Sequence, residues 1–162
     1  MYHVCNRGSR KGVLFDSYED YVAFAELMEE ARRKRPMRIT AYCLMSNHFH
    51  FLLWPMGDDD VPRFMKWLTA THASRWHRQR GTVGTGAVYQ GRYVSKGISD
   101  ARHFFTTLRY VERNALTAGA VGRAEEWQWC SAWSHDGAAT PFVIDAGPMT
   151  RPSNWLTILN DL

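Results

Sequence analysis

The alternation of apolar and polar residues is sharpest in the segment NHFHFLLW at residues 47–54. Side chains of a β-strand point alternately to the two faces of a sheet, so Phe49 and Phe51 are predicted to enter the core. His48 and His50 then lie side by side on the opposite face. A strand histidine is usually only a polar residue on a solvated face, but two neutral imidazoles in register can also hold a divalent metal.

The order of the other elements follows from the spacing of apolar residues. The predicted elements are, in chain order, a strand at residues 2–7, a helix beginning at residue 17, a strand at 37–45, the histidine strand, a helix at 61–80, a strand within 87–94 and a helix from residue 99 past 114. This order is typical of an α+β fold of the ferredoxin-like (RRM-like) type, a split βαβ antiparallel sheet with helices on one face, here followed by a C-terminal helix. The other sheet face would be open to a substrate.

The last predicted helix carries a polar stripe beside its apolar face. His103, Thr107, Tyr110 and Asn114 follow at steps of four, three and four residues, which places them on one side of a helix. A tyrosine hydroxyl can act as a covalent nucleophile when nearby cations stabilise the phenolate, because its usual pKa is about 10. Taken alone, the stripe is better explained by an ordinary amphipathic helix whose polar side faces water.

The length of the chain, 162 residues, suits one domain with one core. We assign residues 1–135 to that domain and residues 136–162 to a C-terminal tail. The part of the tail up to residue 152 is rich in Gly, Ala, Pro and Thr, so we expect it to be loose. The apolar residues between Trp155 and Leu159 predict a short closing helix packed back on the domain.

Basic residues are concentrated between Val61 and Arg113, a segment that contains ten Lys or Arg residues and only two acidic residues. This concentration favours a polyanionic partner such as nucleic acid, although a basic helix that only aids solubility would look similar. No apolar run of about 18 residues is present, so no membrane span is expected. The three cysteines are widely spaced and odd in number, which indicates reduced thiols in a cytoplasm.

Five segments together resemble the HUH single-tyrosine transposases, in particular the REP-associated tyrosine transposases. The segments are YHVCNRG at residues 2–8, MSNHFH at 45–50, YQGRY at 89–93, LRYVERN at 108–114 and WQWCSA at 127–132. The likeness extends over roughly residues 2–135, nearly the whole expected domain. A His-x-His pair alone is a weak signal, but these segments in this order are specific.

The resemblance implies a mechanism and a site. Tyr110 would be the nucleophile, and His48, His50 and Asn114 would bind Mg²⁺ or Mn²⁺. The protein would cleave and rejoin single-stranded DNA through a 5′-phosphotyrosine, on hairpins formed by palindromic DNA, without a small-molecule cofactor. It would work in the bacterial-type cytoplasm, associated with the nucleoid.

Contacts with DNA are expected from basic and aromatic residues. The residues proposed to contact phosphates are Arg7, Arg10, Lys11, Arg75, Arg78, Arg92 and Lys96. Tyr93 and Trp76 are proposed to stack on bases.

The chain also departs from the family pattern. Ala115 follows the amide where many relatives have proline, which affects the helix exit rather than the chemistry. The chain begins almost at its first strand, so we expect an N-terminal DNA-guiding segment to be absent or minimal. Two other functions stay open: a domesticated, non-catalytic nucleic-acid-binding regulator, and a metal-dependent hydrolase that uses water. Whether the protein acts alone or as a homodimer also stays open.

Overall fold

The computed structural model describes residues 1–136 and 144–161. The strands in these ranges are β1 (Tyr2–Arg7), β2 (Arg38–Met45), β3 (His48–Trp54) and β4 (Val94–Gly97). The helices are α1 (Tyr18–Lys34), α2 (Asp60–Arg80), α3 (Ala101–Glu112), α4 (Asn114–Thr117) and α5 (Trp155–Asn160). The strands form one antiparallel sheet in the spatial order β2-β3-β1-β4, which confirms the predicted α+β, ferredoxin-like class.

Capping residues set the ends of the long helices. The Ser17 hydroxyl accepts a hydrogen bond from the Asp20 backbone N–H, and the Asp20 carboxylate accepts one from the Ser17 N–H, so α1 begins with a capping box. Asp100 starts α3 by accepting from the His103 N–H. Gly81 ends α2 in left-handed backbone with a φ of 64°. These signals are local, and the helix boundaries that depend on them agree with the prediction.

Helices α1 and α2 cover one face of the sheet. Phe49 and Phe51 of β3 are fully buried beneath them, as predicted, in one core with Phe24 of α1 and Phe64 of α2. The rings of Phe24 and Phe49 lie 5.6 Å apart between centroids. Because alternate residues of a strand point in opposite directions, the two histidines of β3 project from the other face.

The second face of the sheet is open only in part, contrary to the expectation of a free face. Cys43 of β2 and Leu52 of β3 are buried there against Leu108 and Val111 of α3 and against Trp155 of α5. Apolar residues of β2 on this face need a cover, and the apolar side of α3 supplies it. The part of the face above β1 and the adjoining end of β3 is left uncovered.

Two predicted boundaries are wrong. Residues 87–93 do not form a strand: Tyr89 makes only an isolated bridge to Gly8, and β4 begins at Val94. All four residues of β4 are exposed, so no apolar alternation marks it in the sequence. Helix α3 ends at Glu112 rather than running past residue 114, and α4 starts directly after it.

The described part of the expected loose segment, residues 144–152, is bound to the domain. The Asp145 N–H donates to the Ile39 carbonyl at 2.8 Å, and its carboxylate accepts from the Ile39 N–H at 2.8 Å. The same carboxylate pairs with Arg32 at 2.8 Å. The expectation of a loose tail therefore does not hold for residues 144–152, and residues 137–143 lie outside the described ranges.

None of the helices within residues 1–136 and 144–161 is both long enough and apolar enough to cross a lipid bilayer.

The Asp20 carboxylate is expected to make the stability of the fold depend on acid pH. Burial raises the pKa of Asp20, but hydrogen bonds from the Asp16 N–H and from Arg80, which pairs with it at 2.5 Å, outweigh burial and lower the pKa overall. The pair therefore stabilises the fold above the unfolded pKa of about 3.9, and this contribution is lost as pH falls through the lower folded pKa.

We expect Asp20→Asn to lower the free energy of unfolding at neutral pH by about 3 kcal/mol, because Arg80 loses its charged partner. The difference between wild type and variant should shrink as the pH falls below about 3.9. Denaturant unfolding of both proteins along a pH series measures it, and a difference that stays constant down to the acid limit contradicts the assignment.

Candidate active site

A cavity of about 650 Å³ opens on the uncovered part of the second sheet face. Its floor is formed by β1 and β3, and its wall by the junction of α3 and α4. The four residues predicted to carry chemistry all line this cavity: His48, His50, Tyr110 and Asn114. Groups that are up to 66 residues apart in the chain therefore meet at one place.

Both ring nitrogens of His48 face amide oxygens. Nδ1 lies 2.7 Å from Oδ1 of Asn47, and Nε2 lies 3.0 Å from Oδ1 of Asn114. A neutral imidazole has only one N–H, so it cannot donate to both oxygens. With the proton on Nδ1 and donated to Asn47, Nε2 directs a lone pair at the Asn114 oxygen. A cation bound to both atoms would accept the lone pair of Nε2 and a lone pair of the Asn114 oxygen.

His50 is held by a third histidine that the sequence reasoning did not single out. The distance between His3 Nε2 and His50 Nδ1 is 3.0 Å, and the two rings are stacked with centroids 5.2 Å apart. When His50 donates its Nδ1–H to His3, its Nε2 keeps the lone pair for a metal. The sequence did contain a signal for His3, because the odd-numbered residues of β1 lie on the same sheet face as His48 and His50. A single histidine in a strand is not informative by itself.

Tyr110 stands at the mouth of the cavity, close to both of these rings. Its side chain is 52% exposed. Its ring is edge-on to His50 at 5.3 Å and to His3 at 5.6 Å between centroids. The hydroxyl-bearing ring is thus accessible to a substrate as large as a polynucleotide.

Burial keeps the three histidines in their neutral form. It lowers the pKa of His50 to about 3, and repulsion from Arg7, and from His3 or His48 when either is protonated, acts in the same direction. Burial also lowers the pKa of His48, outweighing the opposite effect of its contact with the amide oxygen. The pKa of His3 is lowered by burial and by Lys96. Neutral imidazoles are the form that binds metals.

Two neutral imidazoles and an amide oxygen are donors that a divalent cation can accept, so the side chains present at the cavity fit such an ion. His, Cys, Asp and Glu side chains alone form no group of three or more that could hold a metal in the described part of the chain. The amide oxygen of Asn114, 3.0 Å from His48 Nε2, is an oxygen donor beside the two imidazoles.

Four of the predicted DNA-binding residues surround the cavity. Arg7 and Arg92 line it, and Lys96 of β4 is the cross-strand partner of His3. Tyr93 lies in a neighbouring cavity of about 430 Å³, which Arg92 also lines, and the Arg92 guanidinium is 5.6 Å from the centre of its ring. Cations and an aromatic ring thus flank the predicted chemical groups.

The other four lie farther away. Arg10 and Lys11 are exposed in the turn after β1, where the Asn47 side-chain amide donates to the Lys11 carbonyl at 3.4 Å. Arg75 pairs with Glu30 of α1 at 2.7 Å. Arg78 is exposed near the end of α2. The structure therefore does not bring Arg75 and Arg78 to the cavity.

Several arginines of the basic region are also engaged within the fold. Arg80 is paired with Asp20, and Arg109 and Arg113 donate to backbone carbonyls at the end of α5. Trp76 is not available as a stacking platform, because its indole packs beneath Arg80, with the guanidinium 4.3 Å from its ring centre.

The family of the chain is decided by its N-terminal two thirds. The sequence model of the family described as "Transposase IS200 like" matches residues 1–114. The chain belongs to the family of IS200-like transposases. The resemblance to HUH single-tyrosine transposases is thereby confirmed, and the matched region of this IS200-like transposase ends at the amide that contacts His48.

A solved structure shares this fold over nearly the whole chain. A structure of a REP-associated tyrosine transposase bound to a REP hairpin superposes with a TM-score of 0.67 at 17% identity, and the match covers 92% of this chain and 90% of that one. A crystal structure of a candidate transposase from Deinococcus radiodurans R1 has a TM-score of 0.49 at 17% identity, with coverage of 68% and 87%. No curated protein shows a detectable sequence match to this IS200-like transposase.

Proposed function

We propose that this protein cleaves and rejoins single-stranded DNA through a covalent bond to Tyr110. The observation that carries the proposal is the convergence of Tyr110, His48, His50 and Asn114 on one cavity. Membership of a transposase family supports an activity that cuts and transfers DNA strands. The structural neighbour bound to a REP hairpin supports hairpin DNA as the substrate.

The proposed reaction exchanges one phosphoester bond for another. The Tyr110 oxygen attacks phosphorus, the new P–O bond forms, and the bond from phosphorus to O3′ of the DNA breaks. The phenol loses its proton and O3′ gains one, which leaves a 3′-hydroxyl and a 5′-phosphotyrosine. Attack of a 3′-hydroxyl on that phosphotyrosine rejoins the strand, and no external energy source is needed.

His48, His50 and Asn114 would hold the Mg²⁺ or Mn²⁺ ion. The ion would supply positive charge that polarises the phosphodiester and stabilises the charge developing on its oxygens. Asn47 and His3 orient the two imidazoles by their hydrogen bonds. A small-molecule cofactor has no role in this scheme.

Exposed cations around the cavity would hold the DNA backbone on either side of the cleaved bond. Arg7, Arg92 and Lys96 are placed to contact phosphates, and Tyr93 offers a ring for a base. Arg10 and Lys11 extend this surface past the start of β3. We propose contacts of Arg75 and Arg78 only with DNA that reaches the α1–α2 side, and contacts of this kind should weaken as salt is raised.

The proposed catalytic groups of one chain meet at one cavity, which supports a reaction that needs no residue from a second copy. We propose that the protein works in a bacterial-type cytoplasm, associated with the nucleoid. The three cysteines are free thiols, which is typical of a reducing compartment.

Incubation of the protein with labelled hairpin DNA and Mn²⁺ tests the proposal. We expect a protein–DNA adduct that survives denaturation, together with a fragment that ends in a 3′-hydroxyl. Binding without an adduct on any single-stranded or hairpin substrate would instead indicate a regulator. Metal-dependent cleavage without an adduct would indicate a hydrolase that uses water.

His3→Asn is expected to weaken Mn²⁺ binding by roughly 10–100-fold, because the second partner of a ligand histidine fixes its tautomer and orientation. His77→Asn is the matched control, since His77 is also hydrogen-bonded but contacts Thr82 and Gly86 at the end of α2. Titration with Mn²⁺ followed by electron paramagnetic resonance gives both affinities. Equal affinities in the two variants would contradict the orienting role of His3.

A further inference from the structure

The last residue of α3 places a carboxylate in the interior of the protein. Glu112 has 0% of its surface exposed. It follows Tyr110 by two residues and precedes Asn114 by two. A buried charge is tolerated only when it is paired and hydrogen-bonded, so its partners must be held firmly in place.

The partners of Glu112 come from distant parts of the chain. Arg151 donates to its Oε1 at 2.7 Å, the Ser131 hydroxyl donates to the same oxygen at 2.7 Å, and the Trp155 indole N–H donates to Oε2 at 2.6 Å. Arg151 also donates to the Thr40 carbonyl of β2 at 2.9 Å. All three of these partners follow residue 114, where the match to the family ends. They tie α3 to the sheet and to α5.

A second set of contacts joins the same helix to the end of α5. The Arg109 guanidinium donates to the Ile158 carbonyl at 2.9 Å and to the Asp161 carbonyl at 2.7 Å. Arg113 also donates to the Asp161 carbonyl. Cations at the carbonyl end of a helix interact favourably with its dipole. The C-terminal segment thus contacts α3 both through the buried carboxylate and through these arginines.

The position of Glu112 makes this anchor relevant to the cavity. Two residues along an α-helix are separated by about 200° around its axis, so Glu112 faces away from Tyr110. It also lies at the joint where α3 ends and α4, which begins with Asn114, starts. A rotation or shift of this joint would move the side chains of Tyr110 and Asn114 relative to the histidines of β3. A displacement of about 1 Å at a reacting group costs on the order of 10²-fold in rate.

We propose that Glu112, Arg151 and Trp155 form a positioning network that sets Tyr110 and Asn114 against the histidines of β3. The effect on DNA cleavage rests on the proposed function. The effect on metal binding, which acts through Asn114, does not require that DNA be cleaved.

Two variants and one matched control test the network. Glu112→Gln removes the charge at nearly constant shape, and Trp155→Phe removes one indole N–H while keeping an aromatic ring. Asp20→Asn is the control, because it also removes a buried carboxylate paired with arginine but lies on the α1–α2 side of the sheet. The measurements are the rate constant of adduct formation at saturating hairpin DNA, the Kd for that DNA, and the affinity for Mn²⁺ alone.

We expect Glu112→Gln to slow adduct formation by roughly 10-fold or more and Trp155→Phe by a smaller factor, with the Kd for DNA almost unchanged. Mn²⁺ affinity should fall in both, and the control should keep wild-type values although it is destabilised. The proposal is overturned if both variants match the control in rate and in Mn²⁺ affinity. If Glu112→Gln does not fold, Trp155→Phe decides. If wild type forms no adduct, the proposed function fails and the Mn²⁺ titrations still decide on the network.

Discussion

Tyr110→Phe is expected to abolish the covalent DNA adduct while the protein still folds and binds hairpin DNA. The substitution removes one oxygen from a side chain that is 52% exposed, so it deletes the nucleophile with little effect on packing. The ring that stands edge-on to His50 and His3 is retained. The measurement is a denaturing gel of protein incubated with labelled hairpin DNA and Mn²⁺, with Kd determined in parallel.

Tyr18→Phe serves as the control for this substitution, because Tyr18 is an equally accessible tyrosine, 60% exposed, at the start of α1. It should form the adduct at the wild-type rate. An adduct that persists in Tyr110→Phe would show that another residue is the nucleophile. Cleavage that persists without an adduct would point to water instead.

His48→Ala is expected to lower the rate of DNA cleavage by on the order of 10³-fold or more, because a lost metal removes several kcal/mol of charge stabilisation at the phosphodiester. DNA binding should stay within a few-fold of wild type, since it depends mainly on exposed cations such as Arg7, Arg92 and Lys96. Cleavage rates and Kd values for the same hairpin, measured over a range of Mn²⁺ concentrations, separate the two effects.

His77→Ala provides the comparison for the loss of an imidazole, since His77 lies at the far end of α2, outside the cavity. It should cleave DNA normally. An equal loss of binding and cleavage in His48→Ala would contradict the separation of roles. Cleavage by His48→Ala at the wild-type rate and with the wild-type dependence on Mn²⁺ would show that His48 is not a ligand.

The parts of the fold that could be predicted are those with local signals. The alternation in β3 placed Phe49 and Phe51 in the core and the histidines on the other face, and the capping residues fixed the helix starts. Strand β4 was predicted too early in the chain, because its four residues are exposed and its pairing with β1 is a long-range contact. The cover over β2 was missed for a similar reason: it depends on α3 and α5 meeting across the sheet.

Site residues that belong to a sequence motif could be predicted. Residues that belong to the site only through a contact with a distant part of the chain could not. His48, His50, Tyr110 and Asn114 do line one cavity, while their chemical roles stay predictions. His3 was missed because its partner is on another strand. The basic composition led to an overestimate of the number of arginines free to contact DNA. The sequence cannot show which arginines are paired with acids or hydrogen-bonded to backbone carbonyls.

The apolar cover of the second sheet face has a consequence for shortened versions of the chain. Trp155 and Leu159 fill a core that the matched family region, ending at residue 114, does not include. A polypeptide that stopped at residue 114 would leave the apolar residues of β2 and α3 without this cover. The region that identifies the family is therefore shorter than the region that buries the sheet.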